Sequence, residues 1–589
     1  MSLERVGVVD VVIRPRCTSQ VDILLLIHHP HKDAKIAAPM LIGSRLSTRL
    51  IRPSSSFVTA RHQLPTRIVQ TMSSSTLASE PGKETGPPSV LFESQGSTRT
   101  YKLNRPKALN SLDPSIVWPL ADKIKEWKED PECKVVLGVG DSRAFCAGGD
   151  VKAVAVVTRE GRLEEALEFF KRENTLDYTL AKLGKPYVVF MEGITMGGGA
   201  GLSYPAPLRI ATSTTNFAMP ETAIGFAPDV GASFYLAQLD GAIGAYLGLV
   251  GESVHGRAVY ELGIATHYVP QTALAGLVEE IRNLSDPTLP RLAALITKHS
   301  VPAPPRPSQL PEDPAEYSSK SNPEAISPLC GSVRKLLDQA FSQPTVSKIY
   351  SVLREAIADE QGSVWDARAR HWAEGVVKVM DTRSPTGMKI ALGNYRQAKK
   401  DQDLKTQLNR DLAMTTAFLS SPTGDMVNSI FHKLIEKKKE TPTWVPSSLD
   451  DPSLEEKQLM TTWFDRSKSE VLDKAPLMYE LEESNTSGKK DQAAWGQYRA
   501  WGIPSEEVVK SYVTGSAKGS GAFALTEEQL KQRIVRHTAE RLELDPKVEV
   551  EWVEGIRERV RDVVERCCEI EEGHEEKYLR WKSYAKAKL

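Results

Sequence analysis

At 589 residues the chain is too long for one compact core and reads as two folded parts with tails. Its composition (40% hydrophobic, 26% charged, net charge -1) is that of an ordinary globular protein, and it excludes a global field that would gather nucleic acid or another polyanion. No apolar run near the start exceeds Ile23 to Ile27, far short of a bilayer span, and six scattered cysteines without metal spacing fit a reducing compartment.

Residues 1–88 read as a leader. From Ala34 to Ser79 there is no Asp or Glu, while Lys35, Arg45, Arg49, Arg52, Arg61 and Arg67 alternate with Ser and Thr. That composition predicts a mitochondrial presequence, with a plain basic tail as the alternative. Met40 lies near its start, so residues 1–39 read as an upstream extension outside the translated protein.

The folded core is predicted over 89–299. Residues up to Tyr101 and Leu103 form a strand, and Asp113-Pro114 opens a helix, because Asp caps and Pro suits the first turn. Lys134–Val139 is a buried strand, Ala144–Asp150 a Gly-containing loop, and the stretch through Glu164 and Glu173 an amphipathic helix. Pro186–Met191 is a further strand, Thr195–Gly201 a Gly-rich entry into a helix, and Leu208–Ala211 a short strand. This alternation gives an α/β class. Residues 300–329 read as a Pro- and Ser-rich linker, and 330–476 as mainly helical, with Thr441–Leu449 irregular. The extension 477–589 is charged and largely helical, with Glu482–Gln492 flexible, and its charged faces read as solvated. No nucleic-acid motif and no internal repeat appears.

Three runs carry chemistry: Ala144-Phe145-Cys146-Ala147-Gly148-Gly149-Asp150, then Gly193-Ile194-Thr195-Met196-Gly197-Gly198-Gly199-Ala200-Gly201, then Met219-Pro220-Glu221 with Pro228-Asp229-Val230-Gly231. Two Gly-rich loops, each after a buried strand, let backbone N–H groups approach a ligand and hold a developing negative oxygen. Glu221 and Asp229 supply a nucleophile or base and a polar orienting group. Taken singly each has a plainer reading: Glu221 in a first helical turn, Asp229 as N-cap of a helix from Val230, Cys146 as a small buried hydrophobe. His255 and His267 read as structural. There is no Gly-x-Ser-x-Gly elbow.

Together these runs resemble the crotonase (enoyl-CoA hydratase/isomerase) superfamily, beginning at Leu103-Asn104-Arg105-Pro106-Lys107-Ala108-Leu109-Asn110, which is similar to that family's CoA-binding start. The second and third runs resemble its 3-hydroxyisobutyryl-CoA hydrolase branch. The likeness is close over 98–270 and looser to about 465. It implies a crotonase fold of repeated ββα units, oxyanion N–H groups at Gly149 and Gly198, and Glu221 acting on the thioester. It makes Asp229 the branch's second acid and Glu173 a further substrate-contacting carboxylate. It implies hydrolysis of 3-hydroxyisobutyryl-CoA, and 3-hydroxypropionyl-CoA beside it, in valine catabolism in the mitochondrial matrix. No metal or redox cofactor is implied, since CoA is part of the substrate.

Two departures matter. Hydratases need a second glutamate where this chain has Gly201, which argues against the rival hydratase or isomerase reading. Hydrolases carry His-Asp-Phe-x-Glu-Gly-Val-Arg-Ala where this chain reads Gly424-Asp425-Met426-Val427-Asn428-Ser429-Ile430. That loss and the long tail favour a second rival: a small-subunit component of the mitochondrial ribosome that keeps a hydrolase-like fold.

Overall fold

The computed structural model describes residues 9–15, 21–27, 87–301, 304, 311–312, 318–421, 424–480, 498–518, 520, 524–543, 550–572 and 577–582. The basic stretch Ala34–Ser79, Met40, much of the 300–329 linker and Glu482–Gln492 lie outside them. The chain divides into two units, Met1–Thr71 and Met72–Leu589. In the first, β1 (Val9–Pro15) pairs antiparallel with β2 (Val21–Ile27), a pairing that the leader reading does not anticipate.

The second unit is built on two sheets. The six-stranded sheet contains β3 (Val90–Gln95), β4 (Thr98–Leu103), β5 (Val135–Val139), β7 (Tyr187–Phe190), β9 (Leu208–Ala211) and β12 (His267–Tyr268), in the order β12-β9-β7-β5-β4-β3. The four-stranded sheet contains β6 (Ala144–Cys146), β8 (Ile194–Met196), β10 (Asn216–Ala218) and β11 (Val254–His255), in the order β11-β10-β8-β6. Successive strands β5/β6, β7/β8 and β9/β10 alternate between the two sheets. The chain therefore spirals, and each turn ends in a loop or helix at the same side. All interior pairings from β4 to β12 are parallel. Their strands are covered on both faces, which explains runs such as Val135–Val139 without polar alternation.

Helix α1 (Pro114–Glu129) starts as expected: the Ser115 N–H donates to Asp113 Oδ1 at 3.0 Å. α2 (Val151–Arg159) follows the first Gly loop, α3 (Leu163–Ala181) follows it, and α4 (Gly198–Ser203) opens directly from the second. Two details differ from the sequence reading. The first three residues of the predicted loop Ala144–Asp150 pair with β8 as a strand. The helix expected from Val230 starts at Ala232, with Gly231 as its cap, so Asp229 is not an N-cap.

The C-terminal region is helical, as expected. Helix Leu404–Ser420 packs along α3, and helix Pro385–Asp401 packs on Ile243–Val250. The tail is not merely solvated. Helix Val550–Cys567 leads into a second two-stranded antiparallel sheet, β13 (Cys568–Glu572) with β14 (Lys577–Trp581). Its arginines turn inward. Asp240 accepts from Arg499 Nη1 at 2.7 Å and pairs with Arg559, while Glu506 joins Arg334 (2.9 Å) to Arg566 (2.6 Å). Burial alone would raise Asp240; Arg499 and Arg559 overcome it and hold the carboxyl well below its usual range. Arg209 in β9, fully buried, donates to the carbonyls of Ile264, Ala206 and Tyr498, and the Tyr498 ring lies 3.8 Å from its guanidinium. The tail thus completes groups that the core buries.

Among the described residues no helix is long and apolar enough to cross a membrane.

Candidate functional site

The two Gly loops meet at one point. Gly148 has φ +102, and a side chain on it would lie 3.7 Å from Gly198 N. The bridge between Leu112 and Gly149 uses Gly148 O and Asp150 N, at 2.8 Å each. Residues alternate in a strand-like bridge, so the Gly149 N–H points the other way. Gly198 is the first residue of α4, where a helix N–H has no partner within the helix. A Cβ on Gly198 would stand 3.3 Å from Gly149 N. The structure therefore brings together two amides, of Gly149 and Gly198, that secondary structure leaves uncommitted.

The acids converge on the same place. A Cβ on Gly198 would run into Glu173 Oε1, and one on Gly197, whose φ is +48, would lie 3.3 Å from Glu221 Oε1. Glu173 and Glu221 therefore flank the Gly197–Gly198 peptide. Glu221 opens a short 3-10 turn, Glu221–Ile224, which is the plainer reading of its position as well. Both carboxyls are nearly inaccessible, and Glu173 Oε1 and Glu221 Oε2 have no hydrogen-bond partner. Burial pushes each up to about 8. Asp229 is also held well above its usual range, first by burial, then by the charges of Glu173, Glu221 and Asp411. Its neighbour Val230 has φ +49, a left-handed backbone that a β-branched residue rarely adopts. Such strain costs about 1–3 kcal/mol and collects at functional sites.

Two further acids escaped the sequence reading. Asp177 lies one helical turn beyond Glu173, 2% exposed, with neither oxygen partnered, and burial holds its carboxyl well above the usual range. The i, i+4 spacing of Glu173 and Asp177 within an otherwise apolar stripe of α3 was the available signal. A Cβ on Gly201 would lie 2.7 Å from Asp177 Oδ2. The bare position that replaces the hydratases' glutamate is thus filled from α3. Asp411, on helix Leu404–Ser420, accepts from Gly231 N (2.9 Å), Asn394 Nδ2 (3.0 Å) and Gln407 Nε2 (2.7 Å), and so fixes the Asp229 loop. Nothing local in the sequence marks it.

The remaining candidates stand aside. Cys146 is fully buried, and burial pushes its thiol up to about 12, which removes it as a nucleophile. Burial lowers His267 to about 3, and its Nδ1 lies 3.0 Å from Thr266 Oγ1. The His255 backbone N–H donates to Ser319 Oγ at 3.3 Å, and the residue pairs with Asn216 at the edge of the four-stranded sheet.

The amides of Gly149 and Gly198 thus lie together, with the Glu173 and Glu221 carboxyls beside them. The enoyl-CoA hydratase/isomerase family model matches residues 98–460, the span that holds every one of these groups. The chain belongs to the enoyl-CoA hydratase/isomerase family. Within it, small ribosomal subunit protein mS47 of Neurospora crassa is 30% identical over 559 residues, covering 93% of this chain and 98% of that one. 3-Hydroxyisobutyryl-CoA hydrolase 1 of Arabidopsis thaliana is 35% identical over 369 residues, covering 62% of this chain and 88% of the relative. Among solved structures, a carnitinyl-CoA dehydratase from Mycobacterium thermoresistibile superimposes with a TM-score of 0.53 at 29% identity, covering 68% of this chain and 100% of that one. The family fold is therefore the crotonase fold, and the match to the Neurospora crassa protein runs on through the tail.

Proposed function

We propose that the chain hydrolyses small 3-hydroxyacyl-CoA thioesters, 3-hydroxyisobutyryl-CoA foremost, to the free hydroxy acid and CoA. The observation that carries this reading is the flanking of the Gly197–Gly198 peptide by Glu173 and Glu221, with the Gly149 amide beside it. The thioester oxygen sits between the amides of Gly149 and Gly198, which stabilise the charge that develops there. Glu221 takes one of two routes. As nucleophile it attacks the carbonyl, expels CoA thiolate and leaves an anhydride that water cleaves. As base it takes a proton from water, which attacks the same carbon. Both routes consume one water and release one carboxylic acid and one thiol. Asp229 and Glu173 orient the 3-hydroxyl or the water. Neither route calls for a metal or a redox cofactor.

The test is CoA release by the full chain from 3-hydroxyisobutyryl-CoA, 3-hydroxypropionyl-CoA and crotonyl-CoA. Rapid release from the first two supports the reading. Hydration of crotonyl-CoA without CoA release overturns it.

A second role is favoured by a specific observation. The Neurospora crassa relative, named as a small ribosomal subunit protein, aligns across 93% of this chain, whereas the Arabidopsis thaliana hydrolase aligns across 62%. The tail that only the first shares is bound to the core through Asp240, Arg334 and Arg209. We infer that the chain is also a component of the mitochondrial small ribosomal subunit. Sedimentation of mitochondrial lysate in a gradient tests this: the chain travels with the small subunit if the inference holds and stays at the top if it does not.

A further inference from the structure

Residues 424–435 are where the chain leaves the hydrolase pattern, with Asn428 in place of its Glu and Phe431 in place of its Arg. The segment folds as a short helix, Asp425–Ile430, continued by a π turn, Phe431–Ile435. π turns re-aim side chains and gather at functional sites. Here the re-aimed group is Lys433. Its Nζ donates to Ala223 O at 2.7 Å, and Ser429 Oγ donates to Ile224 O at 2.6 Å. Both carbonyls belong to the 3-10 turn that begins with Glu221. The other two are also taken: Ser384 N donates to Thr222 O at 3.0 Å, and Phe226 N to Glu221 O at 3.0 Å. Gly225, at the end of the turn, has φ +69, and a Cβ there would meet the Asp425 backbone at 2.9 Å. The segment and the turn are therefore in backbone contact.

The clasp has a second attachment. Arg159, the last residue of α2, donates from Nη2 to Asn428 Oδ1 at 3.2 Å, and its guanidinium lies 3.3 Å from the Phe431 ring centre. α2 starts two residues after Gly149. The guanidinium lost from the 424–435 segment is thus supplied from across the contact.

We propose that Lys433, with Ser429, is a positioning residue for the Glu221 carboxyl. It fastens the turn that carries Glu221 to the helical region, and Arg159 ties the same clasp to the helix behind the Gly149 amide. A carboxyl held by a short turn with four satisfied carbonyls keeps one orientation toward the thioester carbon. Lys433 touches no substrate; it acts through the turn.

The kinetic arm of the test rests on the hydrolase reading, and the structural arm does not. In the full chain, Lys433→Met should speed hydrogen exchange in residues 219–228 by about tenfold or more, the scale expected when a charged hydrogen bond is lost. Lys433→Arg should restore exchange to within about twofold of wild type, since it keeps a donor, and Ser429→Ala should act in the same direction as Lys433→Met. For CoA release, Lys433→Met should lower kcat by about tenfold with KM within about twofold. If the wild type releases no CoA, the hydrolase reading fails, and exchange alone still decides the clasp. Wild-type exchange in Lys433→Met, or equal losses in Lys433→Met and Lys433→Arg, overturns the positioning role.

Discussion

Replacing Glu221 with Gln separates charge from shape where the functional reading is most exposed. The side chain is 6% accessible, and burial raises its carboxyl from 4.5 to about 8. In the unfolded chain the group ionises near its ordinary value. Between that value and about 8 the folded protein therefore holds a proton that the unfolded one has released, and stability falls as pH rises. The contribution is fully present below the unfolded value and is lost on passing through the folded one. Ionising the buried group costs about 5 kcal/mol more than ionising it in water, an upper bound, since water entry and relaxation lower it. Glu221→Gln carries no charge to ionise. Urea denaturation of both proteins should give similar stabilities at pH 5, with the variant ahead by at least about 2 kcal/mol at pH 9. Glu173, also pushed up to about 8, is present in both proteins, so the difference reports on position 221. Wild-type kcat/KM should climb with pH, reach half its maximum near 8 and level off above it, because only the ionised carboxyl attacks or accepts a proton. CoA release by the variant should vanish throughout. Parallel stability curves from pH 5 to 9, or turnover by Glu221→Gln, would refute the reasoning.

Other consequences are as direct. Gly198→Ala keeps its N–H but drives a methyl into Glu173 Oε1 and to 3.3 Å from Gly149 N; by displacing both it should cost about 10² in kcat, and the overpacking should lower stability by about 1–3 kcal/mol in chemical denaturation. Asp240→Asn leaves buried Arg499 without its carboxylate and Arg559 with Asp562 alone, and should destabilise by about 3–5 kcal/mol in chemical denaturation. Because Asp240 is held below its usual range, the same contact should weaken in the wild type as pH falls below about 4. Truncation before Tyr498 removes the ring and one carbonyl from Arg209, and the shortened chain should partition into the insoluble fraction.

What the sequence disclosed was local. Val135–Val139 announced a doubly covered strand because nothing polar interrupts it, and Asp113-Pro114 announced a cap because that chemistry is complete within three residues. The Gly runs and the two acids after them could be read as one site only through likeness to a family. Singly, Glu221 does sit in a first turn, and Asp229 does precede a helix. The groups that were missed act over long separations. Asp411 meets Gly231 across 180 residues, Lys433 meets Ala223 across 210, and Arg559 meets Asp240 across 319. Periodicity shows which face of a helix is turned inward but does not name its partner. The tail misled for that reason: its charged residues have the spacing of a solvated helix, yet Arg566 is only 3% exposed because Glu506 and Asp338, from two other segments, pair with it.

The balance between the two proposed roles can be argued from cost. A docking surface has no use for acids in the interior. Glu173, Asp177, Glu221 and Asp229 are each at most 6% exposed, and three of them have unpartnered oxygens. Each such group is costly to bury, and Val230 adds backbone strain beside them. A purely structural subunit would be more stable with apolar or amide side chains at those positions, and nothing in the tail's ion pairs depends on them. From Tyr498 on, the tail's ion pairs and its bond to Arg209 lie on Asp240, Arg334 and Arg209, while the acid turns are fastened by Ser384, Asp411, Ser429 and Lys433. The two sets share no residue. The destabilising cluster therefore fits the proposed chemistry, and the proposed partner can meet the chain through the tail beyond Tyr498 without disturbing the turn that carries Glu221.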